Sequence, residues 1–315
     1  MVEAPRIPPA HAGKPAVDAP TGTSFVGHEW DGIQELDTPM PRWWLYILYA
    51  TIVFAIIYVV LYPAIPTPSG GTPGLLGWST HGELAGDLAA EQKRKGPMLA
   101  AIARTPIELI ASNPQLLRAA EEGGRSAFKV NCVQCHGAGA AGGNGYPNLN
   151  DDDWLWGGDP AAIQQTLAHG IRQPDDAVTR MSQMPAFGRD GILTPVEIAD
   201  VTSYVRVVSH QEPMTARGRR GQVLFATNCA VCHGDNAAGG RSVGAPNLTD
   251  AIWLYGGSRD KLTQTITNAR YGMMPAWNTR LDPVTIKMLA TYVHSLGGGE
   301  APPAPVQQAA NVPPN

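Results

Sequence analysis

The feature that most restricts the folds open to this chain is a repeated cysteine–histidine clasp. The segment NCVQCHG, Asn131 to Gly137, returns as NCAVCHG, Asn228 to Gly234, at an offset of 97 residues. Each copy sets two cysteines three positions apart, with a histidine directly behind the second. Cys132, Cys135, Cys229 and Cys232 are the only cysteines in the 315 residues, so none is left for structural work elsewhere. Two disulfides or one four-thiolate zinc site would use the same residues, but neither needs a histidine fixed behind each pair. The C-x-x-C-H spacing reads instead as covalent attachment of haem c. Its thiols form thioethers with the porphyrin vinyls, and the turn carries His136 or His233 under the iron. One such pentapeptide arises easily by chance; two in a repeated context are a strong signal. Two covalently bound haem c groups are expected.

The repeat extends beyond the clasps. PNLNDDDWLWGG returns as PNLTDAIWLYGG, QQTLAHGIR is echoed by TQTITNARYG, and MPAF at Met184 by MPAW at Met274. Each copy closes on a helix with a readable start. Thr194-Pro195-Val196-Glu197 is a capping box, and Asp282-Pro283 sets an Asp cap before proline. An Asn cap before Pro114 opens the first copy in the same way. The reading is an all-α fold, with cytochrome c domain 1 over 113–210 and domain 2 over 211–298. Modules this small need a staple, and a haem supplies one by becoming the core around which helices pack. Trp154, Trp156, Trp253 and Trp277 are expected to wall the porphyrins.

A methionine thioether opposite each histidine would favour ferrous iron and raise the potential, as in electron carriers. Met184 and Met274 occupy matching places in the repeat and are the expected distal ligands. Met181 and Met273 compete with them by proximity. His169 is the rival in the first copy, but its counterpart, Asn268, is no useful iron ligand, which favours a place at the surface or beside the ligands. His81, His210 and His294 read as solvated or helix-face residues. Trp154 to Met184 spans 30 positions and Trp253 to Met274 spans 21. That slack permits each methionine to serve its own copy's iron or the other's, and both arrangements stay open.

Ahead of the repeat, Trp43 to Tyr62 run for twenty residues without a charge. As a helix this is about 30 Å, the thickness of a bilayer's hydrocarbon core. Trp43, Trp44, Tyr46, Tyr58 and Tyr62 fit the aromatic belts at its two ends. The expected layout is an N-terminal segment 1–42, disordered up to about Gly22, a membrane helix 43–62, a linker 63–112, the two haem domains and a flexible tail 299–315. A helix-like stretch around Gly82 to Lys95, then a loop through Pro106, falls within the linker. Arg42 at the N-terminal end points to a cytoplasmic N-terminus. Haem c attachment on the periplasmic face independently sends the rest outward. The net charge of −4 gives no reason to expect a nucleic-acid partner. It is unevenly spread: Arg118 to His210 holds seven basic and eleven acidic residues, Gln211 to Gly297 nine and five. Asp151, Asp152 and Asp153 in the acidic copy are candidates for steering a basic soluble carrier.

HEWDGIQELDTPMPRWW running into a single span, then LLGWST, then two C-x-x-C-H modules with Met-Pro-Ala partners, resembles the dihaem CcoP/FixP subunit of cbb3-type cytochrome c oxidases. The resemblance covers roughly Gly27 to Gly297. It implies a bacterial inner-membrane complex in which a soluble or membrane-bound cytochrome c donor feeds this subunit. Electrons would pass on to a monohaem cytochrome c subunit and then to a catalytic haem–copper subunit that reduces oxygen and pumps protons. It also implies that Cys132, Cys135 and His136 hold one haem and Cys229, Cys232 and His233 the other, with Met184 and Met274 distal. No catalytic site is expected in this chain, since one span cannot supply a haem–copper histidine cluster. A dihaem cytochrome of another respiratory complex, or a dihaem peroxidase or gas sensor with an open iron, are the alternatives.

Overall fold

The computed structural model describes residues 16–68 and 70–302, and packing divides the chain between Glu91 and Gln92 into two units. In the first unit, described structure begins at Ala16. The Asp18 carboxylate closes a turn by accepting from the Thr21 amide at 3.1 Å, and Val17 bridges to Ser24. Strands β1 (Phe25–Trp30) and β2 (Ile33–Leu36) then pair antiparallel, with Trp30 opposite Ile33. Asp31 and Gly32 between them both take positive φ, 51° and 85°. That two-residue turn matches the natural twist of a hairpin. Helix α1 (Arg42–Leu61) buries none of its residues, so every face is apolar and exposed, as a membrane span requires. It falls within one residue of the expected span.

Beyond α1 the linker folds back on the helix end. The amides of Leu75 and Leu76 donate to Val60 O and Leu61 O at 2.9 and 3.1 Å. Gly74 permits this: its φ is 64°, and a Cβ there would lie 2.5 Å from Leu61 O. The loop contains one small antiparallel pair, β3 (Pro66–Thr67) with β4 (Gly70–Gly71). Helix α2 (Thr80–Arg104) is longer than its expected stretch and continues through Pro97. Two anchors explain this. Ile102 is fully buried in the core of the second unit, and Lys287 Nζ donates to the carbonyls of Ile102, Ala103 and Thr105 at 2.8–3.2 Å, capping the helix.

The second unit continues with α3 (Ile107–Ile110), α4 (Pro114–Asn131), α5 (Val133–His136), α6 (Pro160–His169) and α7 (Pro195–Val208). The second copy supplies α8 (Ala216–Asn228), α9 (Ala230–His233), α10 (Arg259–Asn268) and α11 (Pro283–His294). The caps are those read from sequence. Asn113 accepts from Gln115 and Leu116, Asp282 from Val284 and Thr285, and Thr194 with Glu197 forms a complete capping box.

Packing does not follow the sequence boundary at 210/211. The closing helix α7 of the first copy lies against α8 and α10 of the second, while α11 returns to α4 and α6 of the first. One core joins Phe128, Cys132, Ile163 and Leu167 to Ile286, Leu289 and Val293. The other joins Ile198, Val201, Tyr204 and Val205 to Phe225, Leu262 and Ile266. Seven residues, Ser209 to Thr215, separate α7 from α8, and a connection so short leaves α7 beside its successor. The crossings match in detail. A Cβ on Gly124 would sit 2.1 Å from Met288 O, and one on Gly221, the equivalent position, 2.0 Å from Asp200 O. Phe128 meets Tyr292 with ring centroids 5.5 Å apart, and Phe225 meets Tyr204 at 5.2 Å. Each pair joins the opening helix of one copy to the closing helix of the other.

Candidate functional site

Each clasp sits where an opening helix ends. The α4 hydrogen-bond ladder runs on to Cys132, whose amide donates to Phe128 O at 2.9 Å, and Cys229 does the same to Phe225 O at 2.8 Å. One short helical turn, α5 or α9, brings the second cysteine and the histidine round. Gly137 and Gly234, at φ 78° and 77°, then reverse the chain. No disulfide joins the two cysteines of either clasp. Burial, reinforced by the neighbouring cysteine, pushes the Cys132 and Cys229 thiols up to about 11.

The histidines are oriented identically. His136 Nδ1 donates to Pro147 O at 3.1 Å and His233 Nδ1 to Pro246 O at 3.0 Å. A carbonyl only accepts, so the proton lies on Nδ1 and the Nε2 lone pair is free for a metal. Burial holds both imidazoles below the ordinary histidine range, against a weaker opposing pull from the proline carbonyl. Neutral imidazole is the ligating form.

Each clasp opens on a cleft that also contains a methionine of the other copy. Cys132 and His136 line a cavity of about 110 Å³ with Trp154, Trp156, Leu167 and Met274. Cys229, Cys232 and His233 line one of about 470 Å³ with Trp253, Phe225 and Met184. Backbone pairing carries the methionines there. Met274 and Ile171 exchange two N–H···O bonds, each 3.0 Å, and Trp277 N donates to Leu167 O at 3.0 Å. On the other side Gly188 N and Arg189 N donate to Thr267 O at 3.1 and 2.9 Å. Met181 and Met273, the competitors by proximity, are 65% and 61% exposed and line neither cavity. His169 is held away from both clefts by Asp176, whose carboxylate lies 3.0 Å from its Nδ1. Three of the four expected tryptophans line a cleft. Trp277 lines neither and packs, partly buried, against the first core.

The residues fit a porphyrin bound edge-on to the thiols: apolar walls, a free imidazole nitrogen on one side and a thioether in the same cleft. Pro147, Asn148, Asp153 and Leu155 line both cavities, so the two clefts share a wall. This wall was not legible as such in the sequence. Asp153 stands in it with its carboxyl pushed up to about 6, chiefly by burial and then by Asp250, Asp151 and Asp152. The beginning of the expected tail is also fixed. Trp154 Nε1 donates to Gly298 O at 2.6 Å, and the Glu300 carboxylate accepts from Gly158 N at 2.8 Å and from Arg241. Residues 303–315 of that tail, like 1–15 of the N-terminal segment expected to be disordered, lie outside the described residues.

Three sequence families match along the chain: the N-terminal domain of cytochrome oxidase-cbb3, FixP, over 22–69; cytochrome c over 120–209; and cytochrome c oxidase, cbb3-type, subunit III over 216–293. The cbb3-type cytochrome c oxidase subunit CcoP of Cereibacter sphaeroides is 50% identical over 287 residues, covering 91% of this chain and 99% of the relative. Subunit FixP of a Bradyrhizobium species is 53% identical, covering 90% and 98%. That of Azorhizobium caulinodans is 51% identical, covering 90% and 96%. The chain belongs to the CcoP/FixP family, subunit III of cbb3-type cytochrome c oxidases. Membership accounts for both haem clasps and for the exposed α1, which anchors the subunit while its haem domains lie in the periplasm.

Proposed function

We propose that this subunit binds its two haem c groups in crossed axial pairs, His136 with Met274 and His233 with Met184. Cys132 and Cys135 hold one group covalently, and Cys229 and Cys232 the other. The observation that carries this reading is the presence of each methionine in the cleft of the opposite clasp. The chain is a membrane-anchored electron-transfer subunit of a cbb3-type terminal oxidase. The bound haem irons supply one-electron exchange; the protein's part is to hold, orient and insulate. The Pro147 and Pro246 carbonyls fix the imidazole tautomer and its rotation. The methionines close the distal side, which excludes exogenous ligands and suits relay rather than substrate chemistry. The shared wall brings the two groups near one another, so that an electron entering at one cleft reaches the other within a single packed unit. From there it passes to the monohaem and haem–copper subunits, where oxygen is reduced.

The test is spectroscopic. In a Cys229→Ser/Cys232→Ser background, which keeps only the haem at Cys132 and Cys135, Met274→Leu abolishes the near-infrared sulfur-to-iron band of the oxidised protein and Met184→Leu leaves it. The opposite pattern would assign each methionine to its own copy and reject the crossed pairing.

A further inference from the structure

The β1–β2 hairpin is a surface without a partner among the described residues. Trp30 and Ile33, cross-strand neighbours at its tip, are 67% and 69% exposed, and Val26 on β1 is 48% exposed. A two-stranded hairpin alone in water is marginally stable and needs another surface to cover its apolar side chains. Its position narrows what that surface is. The hairpin base is fixed where Asp37 N donates to Ser24 O at 2.6 Å, and α1 begins at Arg42. The five residues Asp37 to Pro41 reach about 17 Å at most, and Pro39 and Pro41 stiffen them. With the haem domains periplasmic, this holds the hairpin at the cytoplasmic surface of the membrane.

Charge chooses between the two surfaces found there. From Pro15 to Pro41 the chain has five carboxylates, Asp18, Glu29, Asp31, Glu35 and Asp37, and no lysine or arginine. The cytoplasmic leaflet is itself negative and repels such a segment. Membrane-spanning proteins, by contrast, concentrate lysine and arginine in their cytoplasmic loops. We propose that the hairpin docks on the basic cytoplasmic loops of a neighbouring membrane-spanning subunit of the oxidase, with Trp30 and Ile33 as apolar anchors and the carboxylates setting the orientation. Buried aromatic anchors inside a charged rim are the arrangement that gives interfaces their affinity and specificity.

A benzophenone amino acid at position 33 of the intact oxidase, irradiated in native membranes, tests this directly. The expected product joins this chain to a lysine- or arginine-bearing cytoplasmic peptide of a membrane-spanning subunit. Attachment to lipid alone, to a second copy of this chain or to a soluble protein overturns the proposal, as does the absence of any protein product. A second measurement uses the variant Glu29→Gln/Asp31→Asn/Glu35→Gln/Asp37→Asn, which retains a turn-compatible Asn-Gly pair. Recovery of the catalytic subunit with this chain in detergent should fall severalfold as salt rises for the wild type and start lower, without that salt dependence, for the variant. Equal recovery and equal salt dependence would overturn the charge match. Covalent haem content, read on the same samples, should be unchanged and shows that the periplasmic unit is intact.

Discussion

The two haem clefts are built from the same parts and finished differently. Both have an opening helix with its glycine and phenylalanine, a clasp, a proline carbonyl under the histidine, and a methionine and tyrosine borrowed from the other copy. The glycine contacts, the Phe–Tyr pairs and the histidine–proline bonds recur at matching places and agree within tenths of an ångström. The differences lie in the walls. Trp156 in the first cleft corresponds to Tyr255 in the second, and Asp153 to Ile252. The first cavity is about a quarter the volume of the second. The repeated parts fix which atoms face an iron; the wall residues set its electrostatic surroundings. Two sites with the same ligand chemistry can therefore hold electrons with different affinity.

The largest expected effect breaks the shared part of the comparison. Gly124→Val and Gly221→Val each drive side-chain carbon into a backbone carbonyl of the crossing helix, 2.1 and 2.0 Å away. Overpacking at such a contact costs on the order of 3 kcal/mol or more, well above the small gain a helix makes by losing a glycine. Thermal or denaturant unfolding of the two variants should show losses of similar size. The control is Gly86→Ala in α2, where a Cβ meets nothing within 4 Å. It should stabilise by about 0.5–1 kcal/mol.

A smaller effect separates crossed from uncrossed packing. Double-mutant cycles on Phe128 with Tyr292, and on Phe225 with Tyr204, should give coupling of about 0.5–1.5 kcal/mol, the usual range for an aromatic pair. The within-copy pairs, Phe128 with Tyr204 and Phe225 with Tyr292, should give coupling near zero. Strong coupling in the second set would restore sequence-contiguous domains.

Much of this was legible in the residues, and what was not has identifiable physical causes. The clasps, caps and methionine loops announce themselves because their chemistry is local. The exchange of closing helices was not read from the sequence, which divides into contiguous domains at 210/211 with only the methionine pairing left open, because a hydrophobic face carries no label for the copy it covers. The seven residues from Ser209 to Thr215 were the available signal. A link that short between helices favours neighbours in sequence over a return to α4. The hairpin was also readable, from Asp31-Gly32 between Trp30 and Ile33, but with few apolar residues around it the stretch was placed only within the N-terminal segment 1–42. In α2, Pro97 marks a break by local rules. Tertiary anchoring at Ile102 and Lys287 overrides it.

The smallest predicted effect comes from a wall position at which the copies differ in charge, Asp153 against Ile252. Its carboxyl keeps its proton to about pH 6 in the folded protein, whereas an unfolded chain releases it near 3.8. Between these values the native state binds the extra proton, so this group's contribution is most favourable below about pH 4 and declines as pH rises through 6. Above that it is constant. Burial is the main cause, with Asp250, Asp151 and Asp152 adding repulsion, so Asp153→Asn should remove the decline and leave the chain more stable than wild type near neutrality. Melting temperature measured from pH 4 to pH 8 should converge for the two proteins at the acid end and separate by a few degrees above pH 6. Asp250→Asn should move the wild-type decline to lower pH, because one source of repulsion is gone. A variant curve parallel to wild type throughout would show that Asp153 is already ionised in the native wall. The two clefts would then share a fixed negative charge instead of a proton.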